Sequence, residues 1–231
     1  MRLTLVASGV ELSKATGNEM KLKIILIIAI AALLLAVITA ILLPRRPTAE
    51  GDYPSIIRTG EECWKNGDRR KAAKMFERVV AIRPDVPEGY FLLGKAYFFQ
   101  QKHEEAIKQF NIFKEKTEAL LVSGEAAADD YVARLHEINR LYSSIKRYDM
   151  IAKGCERIIE LRPNDQLAHF NLGVCYYKHQ HNRGRAINEF KKVSEINYST
   201  GIADRARYCV DYILRNPDPR FAPDLSFYEE N

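Results

Sequence analysis

The chain of 231 residues is poor in the residue types that carry most protein chemistry: one tryptophan, four cysteines and five histidines. Cys63, Cys155, Cys175 and Cys209 stand far apart and form no CxxC pair, so the usual spacing of a zinc or redox site is missing. They read as small buried hydrophobes on helices; a disulfide between two of them in an oxidising compartment is the alternative. His179 and His181 have no third ligand beside them and read as a solvated turn, not a metal site. No Ser-His-Asp spacing, phosphate-cradling glycine loop or catalytic carboxylate pair occurs. No cofactor is expected and no enzyme is read here. An excess of one charge is also missing from most of the chain. Of the net +5, residues 1–46 hold six Lys/Arg against two acids, and the remainder holds 29 against 28. A near-neutral remainder gives nucleic acid no electrostatic footing.

What is present begins with an apolar run. The twenty residues Ile24 to Leu43 are all apolar except Thr39, and about 20 such residues cross a bilayer core. Lys21 and Lys23 flank the run on one side, Arg45 and Arg46 on the other, and Pro44 stops the helix. The run reads as a transmembrane helix at 24–43, behind an N-terminal tail at 1–23 and before a linker at 44–52. The alternatives are a signal peptide, whose apolar core is normally about 7–15 residues, and a buried core helix, which would carry a polar face. Met20 is a second candidate start.

Beyond the linker the sequence repeats at a period of 34: Gly60 recurs as Gly94, Cys63 as Tyr97, Ala72 as Ala106 and Phe76 as Phe110. A fixed period of this size marks a stack of helix-turn-helix units. Tyr97 to Tyr142 spans 45 residues and Pro84 to Pro163 spans 79, so one insertion of eleven residues, 121–131, accounts for both intervals. Four repeats follow, at 53–86, 87–120, 132–165 and 166–198, the last with one extra residue in its turn. The third is degenerate, with Asn139 at the glycine position, Ile151 at the alanine and Cys155 at the aromatic. Residues 199–215 form a further amphipathic helix with Ile202, Ala206, Val210 and Ile213 on one side, suited to cap the array with a polar outer face. The tail 216–231 contains Pro217, Pro219 and Pro223 and reads as extended and mobile.

These positions resemble the tetratricopeptide repeat family: Leu93-Gly94 and Leu172-Gly173, Tyr97 and Tyr176, Ala72, Ala106 and Ala186, Phe76, Phe110 and Phe190, and Pro84 and Pro163. The resemblance covers about residues 53–198 and implies an all-α, right-handed superhelical array. It also implies that the first helix of each repeat lines a concave groove. Carried over by position, the groove set is Trp64 and Lys65 from the first repeat, with Ile57 and Glu61 beside them; Phe91, Lys95, Phe98 and Phe99 from the second; His136 and Arg140 from the third, with Ser144; and Phe170, Tyr177 and Lys178 from the fourth, with Val174. The set is aromatic and basic, so the expected partner is a protein or peptide of acidic and aromatic character. Some family members clamp a terminal carboxylate with a lysine and an asparagine in one repeat; Lys95 and Arg140 stand at related positions, but the pair itself is absent. The tail, with Phe221, Leu225, Phe227, Tyr228 and acids between them, is a candidate occupant of the same groove.

The leading expectation is a single-pass membrane protein presenting a repeat scaffold for a partner, placed at a bacterial inner membrane with a periplasmic repeat domain; a cytosolic orientation is the alternative. A structural subunit that packs side by side without a peptide ligand is a second reading, and a secreted repeat protein after signal cleavage a third. Oligomeric state is left open.

Overall fold

The computed structural model describes residues 53–216. The apolar run at 24–43, the linker up to residue 52 and the tail from residue 217 lie outside the described residues. No described helix is long and apolar enough to cross a membrane. The described residues are all-α, with nine helices that pair in sequence: α1 (Tyr53–Lys65) with α2 (Arg69–Ile82), α3 (Pro87–Phe98) with α4 (His103–Ser123), α5 (Ala128–Ser144) with α6 (Tyr148–Leu161), α7 (Gln166–Lys178) with α8 (Arg183–Ile196), and α9 (Gly201–Arg215) alone at the end. One contiguous core runs from Ala72 to Ile213.

The 34-residue period has a direct steric cause. A Cβ added at Gly60, Gly94 or Gly173 would sit 2.6, 2.6 or 2.8 Å from the Cε1 of Phe76, Phe110 or Phe190. In each of these repeats the ring of the second helix lies against the bare backbone of the first, and a methyl group there would push the helices apart. The third repeat solves the same problem with the parts exchanged. Asn139 fills the glycine position, and the glycine has moved to the facing helix: a Cβ on Gly154 would sit 2.2 Å from Asn139 Oδ1. Asn139 Nδ2 then donates to Cys155 Sγ at 3.5 Å, where the other repeats hold a ring. The degenerate repeat is thus a compensated one.

The insertion forms no helix of its own. Leu121–Ser123 lengthen α4, Ala128–Tyr131 lengthen α5, and four residues join them, starting at Gly124 in the left-handed region (φ +77°). Glu118 stands where Pro84 and Pro163 follow the second helices of the first and third repeats, so α4 runs on to 21 residues. The Glu118 carboxylate accepts from Tyr131 Oη at 2.8 Å and Arg157 Nε at 2.8 Å, tying α4 to α5 and α6. The longer helix leaves α5 packed only sparsely on α4, whereas α3 on α2 and α7 on α6 pack along their lengths.

The turns inside the repeats share one left-handed residue at the same place: Gly67 (φ +81°), Gln101 (+65°), Lys146 (+57°) and, one residue later because of the extra turn residue, His181 (+50°). The helix starts are capped where sequence supplies the side chain: Asp68 accepts from Lys71 N, Asp165 from Ala168 N, Asn182 from Arg185 N and Thr200 from Ala203 N. At the far end α9 buries Ile202, Ala203, Ala206, Cys209 and Ile213, with Val210 only half-buried. Its outer face exposes Asp204, Asp211 and Arg215 but also Tyr208 and Leu214, which remain 57% and 62% exposed.

Candidate functional site

The first helices of the repeats (α1, α3, α5, α7) carry the expected groove residues, but the structure divides that set. Phe91, Phe98, Phe170 and Tyr177 belong to the core, which corrects their assignment to an exposed groove. Phe91 packs on Phe110 and Phe113 of its own repeat (6.2 and 5.3 Å between centroids), and Phe170 packs on Phe190 (5.3 Å). Each is then covered by an arginine from two helices on: Arg134 of α5 lies 4.5 Å over Phe91 and Arg205 of α9 5.8 Å over Phe170. His136 is half-buried and bound to Asp165 Oδ2 at 3.0 Å. Arg140 and Lys65 are exposed and Lys178 is half-buried.

Trp64, Lys95 and Phe99 come together where α1 meets α3. Phe99 is 45% exposed and meets the half-buried Trp64 edge to face at 5.1 Å. The Arg69 guanidinium, from the first turn of α2, lies over both rings, 4.5 Å from Trp64 and 5.0 Å from Phe99. Such contacts contribute about 0.5–1 kcal/mol each at exposed sites, enough to hold the guanidinium in place. Lys95 Nζ reaches towards Trp64 (5.9 Å) and Phe91 (5.3 Å) and pairs with Glu137 at 2.5 Å.

A line of alternating charges continues from Lys95 across α3 and α5. Arg134 joins Glu88 at 2.9 Å and Glu137 at 3.7 Å. Of the bases expected to draw an acidic partner, Lys95 and His136 are therefore already paired within the array, whereas Lys65, Arg140 and Lys178 make no ion pair among the described residues. Burial pushes the Glu88 carboxyl above its ordinary value, against the pull of Arg134 and Lys95. Arg69, Glu88, Arg134 and Glu137 were not among the expected site residues. Glu88 occupies the second position of its repeat, which the family pattern also points inwards; Arg134 and Glu137 lie one turn apart, and that spacing was the available signal for them.

On the opposite side of the first helices, position four is structural. Tyr90 Oη donates to the Pro84 carbonyl at 3.1 Å, and His169 Nε2 lies 2.9 Å from the Pro163 carbonyl, with its Nδ1 2.7 Å from Glu189 Oε2. Both side chains fasten a first helix to the proline that ended the preceding one.

Residues 58–119 match the tetratricopeptide repeat family model. Among solved structures, the crystal structure of MamA is 19% identical, with 68% of this chain and 82% of that chain covered and a TM-score of 0.51. The RS-1 ArsTM double mutant of MamA is 13% identical, with 75% and 89% covered and a TM-score of 0.56. At these identities the likeness is one of fold. No curated protein matches the chain in sequence.

Proposed function

We propose that the chain is a membrane-anchored repeat scaffold that holds a partner protein or peptide on the face of its first helices, centred on Trp64, Arg69 and Phe99. The observation that carries this reading is the exposed Phe99 ring against the half-buried Trp64, with a guanidinium already stacked on both. Aromatic and arginine side chains supply most of the energy at interfaces. A guanidinium fixed on two rings has less rotamer freedom to lose when a partner arrives. The partner would lie as a helix or an extended segment along α1 and α3.

The anchor in this proposal is the apolar run 24–43 with its basic flanks, which would raise the local concentration of the scaffold at a membrane. A bacterial inner membrane with the repeats on the periplasmic side is the proposed placement, since long domains behind a signal-anchor translocate largely regardless of charge. The chain acts here by binding, not by chemistry. Burial pushes the thiol of Cys175 up to about 12 and that of Cys209 up to about 11, and raises Cys155 well above its ordinary value, so none of the three offers a thiolate.

A photoreactive residue at position 99 or 214, introduced into the full chain in its membrane, tests the reading. A discrete protein adduct from position 99 that disappears with Trp64→Ala is expected; adducts from position 214 with none from 99 would overturn it. That second result belongs to the assembly-subunit reading, favoured by one observation: Tyr198, Val210 and Leu214 line a cleft of about 510 Å³ between α8 and α9, with Tyr198 65% exposed.

A further inference from the structure

The insertion opens a space that a regular array would close. Between the start of α3, the end of α4 and the start of α5 lies a cleft of about 520 Å³. Val86, Pro87, Phe113, Leu120 and Tyr131 give it an apolar floor. Its charged lining is Glu88, Glu125, Asp130 and Glu137 against the single base Arg134. Arg134 is already held by Glu88 and Glu137, and Lys95 reaches Glu137 from outside the cleft. Glu125 and Asp130 are exposed and make no ion pair among the described residues. Burial raises the Glu88 carboxyl in spite of Arg134 and Lys95. The cleft adjoins the aromatic site through the Lys95–Glu137 pair, so one bound segment could reach both.

We propose that this cleft receives an arginine side chain of the partner polypeptide, its aliphatic stem on the apolar floor and its guanidinium among the carboxylates of Glu125, Asp130 and Glu88. Charge complementarity selects the occupant: the unpaired carboxylates of Glu125 and Asp130 repel an acidic side chain, give a neutral one no ion pair and attract a cationic one. An apolar floor beneath charged acceptors suits a long side chain that keeps its head in water. The planar fork of arginine also matches carboxylates better than the ammonium of lysine does. Residues 1–46 hold +4 of the net +5 and the remainder is near neutral, so a preference for a basic ligand must arise locally. The inference rests on the reading that a partner lies along the first helices, and it replaces the acidic partner expected from sequence.

The test uses the full-length chain in detergent micelles and rhodamine-labelled nonapeptide pools with arginine, lysine, glutamine or glutamate fixed at the central position, read by fluorescence polarisation. The arginine pool is expected to bind about tenfold tighter than the glutamate pool, as a few part-exposed charge contacts would give, with the lysine pool between them. The double substitution Glu125→Gln with Asp130→Asn, both at exposed positions, should abolish the difference. Phe99→Ala should weaken every pool alike. Pools that bind without charge preference, or a preference that survives the double substitution, would overturn the cleft assignment and leave the scaffold reading intact. Failure of every pool to bind would overturn both.

Discussion

Gly154→Ala should destabilise the array, and it should do so only while Asn139 is present. A Cβ on residue 154 would lie 2.2 Å from Asn139 Oδ1 and 2.8 Å from its Cγ and Nδ2. Asn139 is buried, its amide is bonded to Cys155 Sγ, and its neighbours Ile138, Leu141 and Tyr142 are core, so the amide has no room to withdraw. Overpacking of this kind costs about 1–3 kcal/mol. Alanine gains about 1 kcal/mol over glycine in a helix interior. The single variant should therefore lose up to about 2 kcal/mol. In an Asn139→Ala background the obstruction is gone and the helix preference alone remains, so the same substitution should stabilise by up to about 1 kcal/mol. The coupling between the two sites is then the overpacking cost itself, about 1–3 kcal/mol, within the range that contacting residues give. Urea unfolding of the full chain, followed by helical circular dichroism for the four members of the cycle, measures it. Additivity within about 0.5 kcal/mol would refute the exchanged-pair account of the third repeat.

Three further outcomes are expected. Gln101→Gly and Lys146→Gly, at turn positions with φ of +65° and +57°, should each stabilise by roughly 1 kcal/mol, because only glycine occupies that region without strain; a lower urea midpoint for either would refute the assignment. Acid should weaken the fold through Asp165 and Glu189: burial pushes both carboxyls up, but hydrogen bonds from His136 and from His169 and Lys192 bring them below their ordinary values. Carboxyls depressed in the folded state stabilise it above the unfolded carboxylate range, and that contribution is lost as pH falls below about 4; Asp165→Asn with Glu189→Gln should flatten the loss in a urea series taken between pH 7 and pH 3. Finally, a maleimide at pH 7 should label Cys63, which is half-buried, and leave Cys155, Cys175 and Cys209 unmodified until urea is added; labelling of more than one thiol in the native chain would contradict their burial.

Much of this architecture was legible in sequence, because the features that fix it repeat. Gly60, Gly94 and Gly173 face Phe76, Phe110 and Phe190 at a constant interval, and a constant interval is visible without coordinates. The exchange between Asn139 and Gly154 was not, since it breaks the interval and makes sense only when the two helices are brought face to face. The division of the groove residues escaped for a related reason. Phe91 looks like an exposed groove residue by position, but it packs on Phe110 and Phe113 and is covered by Arg134, 43 residues later and one repeat away. The neutralisation of Lys95 by Glu137 and of Arg134 by Glu88 likewise joins positions that no single-repeat pattern pairs. Arg69 sits on a second helix, outside the set that the family pattern points inwards, and only the turn at Gly67 brings it back over Trp64.

The central claim is that a partner covers Trp64 and Phe99 when the chain is in its own membrane. Hydroxyl-radical footprinting tests it without any need to identify that partner, by comparing oxidation of the full chain in native membranes with that of the purified chain in detergent. Trp64 is the only tryptophan and Phe99 one of five large hydrophobic side chains exposed among the described residues, so both report on the site itself. Protection of Trp64 and Phe99 in membranes, with Tyr198 and Leu214 oxidised equally in both preparations, is the predicted result. Equal oxidation of Trp64 and Phe99 in the two preparations, with protection confined to Tyr198 and Leu214, would contradict it.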